Sequence, residues 1–331
     1  MQSTPTKADG PQKLLLYDPL TDKGHVKRTD IKDCNVQRGP GPLCYADRFK
    51  WPERCWGKLS DDERHRLCRN MRKLCASSHM SGCGGMELIL DQILLLVNKQ
   101  TGEMNNLRCV HACDSADHCQ NILASMDARH RPKHIHKALE DRLPLELYLE
   151  LKEMIPDGHV LIDAQRCAYR RIKEKLFDFF DRTPHMARSS HCVVHGTDCQ
   201  LYSNDDPDGL TSDSQTRLDY WSSDSLSINC AGLICKDVSR ESKTRRGDAG
   251  NSALAHLIWT AERRSENGQE DLVLVDCTVD FDASSIAADL GQRYDVYQTT
   301  VNATDMGDKY SRPRAMAPML NQERVVTSDV C

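Results

Sequence analysis

Aromatic side chains are scarce, at 5% of the 331 residues. Aliphatic side chains must therefore fill most of any core. Long apolar runs are missing too. The most apolar stretch, 86–97, is interrupted by Glu87, Asp91 and Gln92. It is too short and too polar to cross a bilayer, so no membrane contact is expected. The opening segment MQSTPTKADGPQK is polar and lacks the apolar stretch of an export signal. Excess positive charge is also absent: 44 Lys and Arg face 49 Asp and Glu, a formal net charge of −5. A protein relying on non-specific attraction to phosphate would be basic. Any nucleic-acid contact must then come from a local patch, such as RHRPKHIHK at 129–137. The plainer reading of that patch is a solvated loop.

What is present suits a folded chain. Charged residues make up 28% and hydrophobic ones 39%, which allows a core and argues against wholesale disorder. Sixteen cysteines without an export signal read as free thiols in a soluble intracellular protein.

The chain divides by pattern. Residues 1–57 are rich in Pro, Gly and charge and read as a loosely ordered lead-in. Residues 58–320 form the main domain, and 321–331 a tail. Ser60 and Glu63 have capping-box spacing, which starts a helix. A strand at 73–77, a glycine-rich turn and an apolar helix at 86–97 follow, then a strand at 107–113. Residues 125–225 interrupt this pattern with helices at 145–155 and 164–180 and an Asp/Ser-rich loop at 204–225. The alternation resumes with strands at 225–231, 272–276 and 294–301 and helices at 253–263 and 283–290. Alternating strands and helices predict an α/β fold with a mostly parallel sheet and a largely helical insertion. Ligands of such sheets bind at the carboxyl ends of the strands.

Four stretches carry candidate chemistry. Ser81-Gly82-Cys83-Gly84-Gly85 is a turn whose missing side chains let a cofactor approach the backbone. Asp114, ending the next strand, is placed to hold ribose hydroxyls. Cys235, in AGLICKDVS, follows a buried strand and is a candidate thiolate nucleophile. A buried structural cysteine is the alternative. Asp276 ends LVLVD, the clearest strand. VNATDMG is followed by Ser311-Arg312-Pro313-Arg314, whose two arginines fall on one face of an extended segment and suit an anionic partner.

Taken in order, these stretches resemble the cytosine-5 DNA methyltransferase family. SGCGG resembles its cofactor loop, and VHACDSADHCQNIL its next motif, with Asp114 in the acidic ribose-binding place. AGLICKDVS is similar to A-G-x-P-C-x-x-F-S, LVLVDCT to the strand ending Glu-Asn-Val, and VNATDMG…SRPR to N-A-x-D-Y-G…Q-x-R-x-R. A second stretch, GTDCQLYS around Cys199, also resembles the nucleophile motif. Spacing favours Cys235, which precedes Asp276 by about one strand–helix unit, whereas Cys199 precedes it by about two. Cys192, His195 and Cys199 also have spacing that suits zinc, with His191 or a distant cysteine as fourth ligand. Ordinary loop residues are the competing reading, and no metal is assigned.

The resemblance implies a Rossmann-like S-adenosylmethionine-dependent methyltransferase. Its cofactor residues would be Ser81, Gly82, Cys83, Gly84, Gly85, Asp114 and Asn302. Its catalytic residues would be Cys235, Asp276, Arg312 and Arg314. The partner would be DNA with a flipped cytosine, in the nucleus if the cell is eukaryotic. Asp141 and Asp163 are candidates for the cofactor's adenine. Four departures bear on activity. Asp276 stands where the family has Glu, Ile234 where it has Pro, and Tyr310 where it has Gln. The family's target-recognition region is expected after Arg314, where little sequence remains. The alternatives are an inactive relative that binds cofactor or nucleic acid, and a methyltransferase acting on RNA.

Overall fold

In the computed structural model the described residues are 32–33, 51–105, 107–128, 130–155, 162–183, 188–201, 225–233, 251–265, 270–279, 281, 283–290, 293–302 and 313–324. The strands are β1 Lys32–Asp33, β2 Leu74–His79, β3 Arg108–Cys113, β4 His134–His136, β5 Ser189–Cys192, β6 Thr197–Gln200, β7 Leu226–Gly232, β8 Leu272–Thr278, β9 Tyr294–Asn302 and β10 Pro313–Asn321. The helices are α1 Trp51–Lys58, α2 Asp61–Arg72, α3 Gly85–Thr101, α4 Asp117–Ala124, α5 Leu145–Met154, α6 Ile162–Arg182, α7 Asn251–Arg264 and α8 Ser284–Leu290. A 3-10 turn spans Leu139–Arg142.

All ten strands join one sheet in the order β1-β9-β10-β8-β7-β2-β3-β4-β5-β6. Its centre, β8-β7-β2-β3-β4, is parallel. Both flanks are mixed: β10 runs antiparallel to β8 and β9, and β5 to β4 and β6. The sheet is thus mixed, with the expected parallel strands at its centre and antiparallel pairs on both flanks. In chain order the central strands follow the doubly wound order 3-2-1-4-5, whose switch point lies between β2 and β7.

Local rules explain the elements. Ser60 Oγ accepts the Glu63 N–H while Glu63 accepts the Ser60 N–H at 2.7 Å, so the capping box opens α2 as its spacing predicts. Along β8, Val273, Val275 and Cys277 are fully buried on one face, and Leu272, Leu274 and Asp276 alternate onto the other. The first face packs beneath α5–α8, with Trp259, Ile172, Leu176 and Phe180 at its heart. The second packs against α2 and α3 through Met71, Leu90, Leu94 and Val97. Burying apolar residues on both faces of a central sheet makes a three-layer α/β structure.

The structure departs from the sequence reading in places. The lead-in contributes β1, which pairs with β9, and the helix α1. The insertion supplies three strands, β4–β6, as well as helices. The patch at 129–137 is not a solvated loop: His130, His134, Ile135 and His136 are buried, because this stretch continues the sheet beside β3. Arg131, Lys133 and Lys137 remain exposed. Arg129 lies outside the described residues, as does most of the loop predicted at 204–225. Among the described residues no helix is long and apolar enough to cross a membrane.

Candidate functional site

The chain leaves β2 through Met80, which adopts a left-handed φ of 51°, and enters a turn with Gly82 and Gly84 at φ 56° and 78°. At Gly84 the left-handed conformation calls for glycine, and an added Cβ would meet the side-chain ends of Met126 and Leu123. At Gly82 and Gly85 a Cβ would meet nothing within 4 Å. One side of the turn is therefore packed and the other open. Asp114 closes it from β3: its Oδ2 accepts the Gly82 N–H at 2.8 Å and its Oδ1 the Ala116 N–H at 2.9 Å. The Cys119 thiol also bonds to this carboxylate, which has about four acceptor positions and so leaves one for a ligand hydroxyl. Ser81 reinforces the join, its backbone N–H reaching the Cys113 carbonyl at 3.0 Å. Beneath the turn, Ser78 donates to Glu87 in the first turn of α3. Burial pushes the Glu87 carboxyl up, against that hydrogen bond.

The switch point is tight. A Cβ on Gly232 would lie 2.7 Å from the Met80 carbonyl oxygen, so the ends of β7 and β2 touch backbone to backbone. Beyond Gly232, the Leu233 N–H bonds to the Asp276 carbonyl at 3.0 Å. Asp276 itself lies within β8, which runs on to Thr278 rather than ending at 276. Its carboxylate is gripped by Arg314 in two parallel hydrogen bonds, Nε to Oδ1 and Nη2 to Oδ2, both 2.8 Å. This fork fixes the direction of both side chains. The strands position it: Arg314 sits opposite Thr278, so it reaches one step diagonally to Asp276 on the shared face.

The structure thus gathers the turn 81–85 with Asp114, and Asp276 with Arg314. Two strand spacings, roughly 10 Å, separate β2 from β8. Asn302 ends β9 opposite Pro313, with β10, β8 and β7 between it and β2. Cys235 and Arg312 lie outside the described residues. Cys199 is in β6, six strands away from β8, at the other edge of the sheet. Asp141 is in the 3-10 turn; the side chain of Asp163 lies outside the described set.

Two groups were missed in whole or in part by the sequence reading. One is a buried polar network under the sheet. Arg142 donates to Glu262 at 2.6 Å and to His79 at 2.9 Å, and Arg263 contacts both Glu262 and Glu270. Asn229 bonds to Ser77 and to His79. Burial would raise the Glu262 carboxyl, but Arg142, Arg263 and Arg188 hold it below its ordinary value. Burial, then Arg142, keeps the imidazoles of His79 and His111 well below theirs. The other is a cluster of four metal-ligating side chains, His134, Cys192, His195 and Cys199, whose donor atoms all lie within 4.8 Å of one another. His191, a fourth ligand suggested by spacing, is not in it. Residues alternate along β5, so His191 faces outward and approaches Asp198 at 3.8 Å. His134 was hidden because it comes from β4, far away in sequence.

Neither a protein-family model nor a curated protein matches the chain.

Proposed function

We propose that this chain methylates cytosine C5 in DNA, with S-adenosylmethionine held at 81–85 and Cys235 as nucleophile. One observation carries the reading. The open glycine turn after β2 and the Asp276–Arg314 fork on β8 flank β7, the strand from which the chain runs toward Cys235. The doubly wound order supports a Rossmann-like methyltransferase sheet, since ligands of such sheets sit at the switch point.

The residues present fit that cofactor. Gly82 and Gly85 leave room where a side chain would intrude, and the Asp114 carboxylate beside them can accept a ribose hydroxyl. When bound, the cofactor supplies the methyl group. The protein's part is nucleophilic. Cys235 thiolate bonds to C6 of a flipped cytosine, and the electron pair of the C5–C6 bond moves into the ring, making C5 nucleophilic. As that pair moves in, N3 takes up a proton from solvent, and the Asp276 carboxylate, aimed by Arg314, accepts the N3–H hydrogen bond. After methylation a water molecule takes the C5 proton, the C5–C6 double bond re-forms as the thiolate leaves C6, and N3 gives its proton back to solvent.

A second reading, an inactive relative that still binds cofactor or nucleic acid, is favoured by the same fork. Both oxygens of Asp276 are already engaged by Arg314, and Asp is one methylene shorter than the family's Glu. DNA containing 5-fluorocytosine separates the two, because fluorine at C5 blocks the final elimination. With S-adenosylmethionine present, the native chain should form a denaturation-resistant adduct and Cys235→Ala none. Native protein that binds the cofactor in calorimetry but forms no adduct would sink the catalytic reading in favour of the second. Substituting 5-fluorocytosine RNA tests the RNA alternative.

A further inference from the structure

We propose that His134, Cys192, His195 and Cys199 bind one zinc ion, which fastens the β5–β6 hairpin to the edge of the sheet.

The hairpin builds most of the site. Its turn closes through Gly196, at φ 66°, whose N–H bonds to the Cys192 carbonyl at 2.8 Å. That turn swings His195 back over the strands. His195 Nδ1 then lies 3.4 Å from Cys192 Sγ and 3.3 Å from Cys199 Sγ. The fourth donor comes from β4, where the His134 ring lies 4.9 Å from that of His195. Tetrahedral zinc, with bonds of about 2.3 Å to sulfur and 2.0–2.1 Å to nitrogen, places neighbouring sulfur and nitrogen ligands about 3.6 Å apart. The two sulfur–nitrogen separations are close to that, and the 4.8 Å limit on every pair of donors leaves room for one ion and no second shell between them.

The donor set selects the metal. Two thiolates and two imidazoles suit zinc and are poor ligands for calcium or magnesium, which take oxygen. Four protein ligands also close the site, the mark of a structural rather than a catalytic ion. Both cysteines are free thiols, available as ligands.

The location gives the ion a task. Among the described residues β6 pairs only with β5, and β5 meets β4 at a single register position, His136 opposite Cys192. Few backbone bonds hold this hairpin, among them Val193 N–H to the Ile135 carbonyl at 2.7 Å. An ion ligated from both β4 and the hairpin adds the missing cross-link. It acts close to the candidate cofactor turn, because the Asp114 N–H bonds to the His136 carbonyl at 3.2 Å. A structural role also removes Cys199 as a rival nucleophile. The assignment stands on geometry alone and does not depend on the methyltransferase reading.

The test is the metal content of the full chain, purified without chelator or polyhistidine tag, by plasma mass spectrometry. One zinc per chain is expected. Cys199→Ser and His195→Asn should lose most of it, while His191→Ala should keep it all. Should the ligand variants fail to fold, cobalt loaded into the native chain gives an independent reading. Tetrahedral cobalt with two thiolates shows intense visible bands and sulfur-to-metal charge transfer. Metal-free protein whose cobalt form lacks those bands would overturn the proposal. So would zinc content unchanged in folded Cys199→Ser, or a Cys192–Cys199 disulfide in the freshly purified chain.

Discussion

Gly232→Ala would place a methyl group 2.7 Å from the carbonyl oxygen of Met80. The obstacle is backbone, and neither side can easily yield. β2 and β7 are paired over six residues, from Leu74 opposite Leu226 to His79 opposite Ala231. Met80 is already in the left-handed region. Ordinary contact begins near 3.4 Å, so the two chain segments must part by roughly 0.7 Å. Overpacking of this kind costs about 1–3 kcal/mol. It should appear in urea unfolding as a lower midpoint with an unchanged slope. The same displacement falls between the proposed cofactor turn and the segment leading to Cys235. A 1 Å misplacement can cost about a hundredfold in rate, so adduct formation with 5-fluorocytosine DNA should slow roughly 25-fold. Stability within about 0.5 kcal/mol of native, together with an adduct rate within about twofold, would refute the claim that contact between β2 and β7 sets the site.

Three further outcomes are expected. Gly85→Ala meets no neighbour and removes a glycine from the first turn of α3. It should leave the protein as stable or up to about 1 kcal/mol more so, yet weaken S-adenosylmethionine binding in calorimetry. Unchanged affinity would place the cofactor elsewhere. Arg314→Lys replaces the fork with a point charge. The pair is partly exposed, at 22% and 35%, so stability should change by less than about 1 kcal/mol, while adduct formation falls at least tenfold; an unchanged rate would remove the fork from catalysis. Acid should destabilise the fold below pH 6.5. His79 and His111 are held well below their ordinary value, and burial takes His136 to about 3, so the unfolded chain binds three more protons as pH falls. Glu270, raised by burial to about 7, opposes them, as do Glu87 and Glu140, whose carboxyls burial also raises. The three imidazoles set the sign near their ordinary value, so stability should fall as pH drops from 6.5 to 5.5. Chemical denaturation at pH 6.5 and 5.5 measures it, and equal stabilities would refute the neutral buried imidazoles.

Local signals determined most elements of this protein. Periodicity placed α3, α6, α7 and β8 within a few residues, because each has an apolar face that must be buried. Ser60 and Glu63 marked the start of α2, since a cap needs only residues three apart. Glycines in a row marked the turn before α3, and the strand after it pointed to Asp114, which does close that turn. Resemblance of motifs, not any local pattern, suggested that Asp276 and Arg314 belong to one site. Only the tertiary structure decided how they meet. Their fork depends on β10 running antiparallel beside β8, a pairing that no local pattern encodes. Gly232 looked like part of a motif, but its reason is a carbonyl on another strand. The fourth side chain of the metal cluster, His134, and the partners of Glu262, Arg142 and His79, are distant in the chain. Charges and ligands buried together are chosen by what lies across the sheet, where desolvation must be repaid by a specific neighbour. Sequence spacing reports what one element offers, and folding decides what meets it.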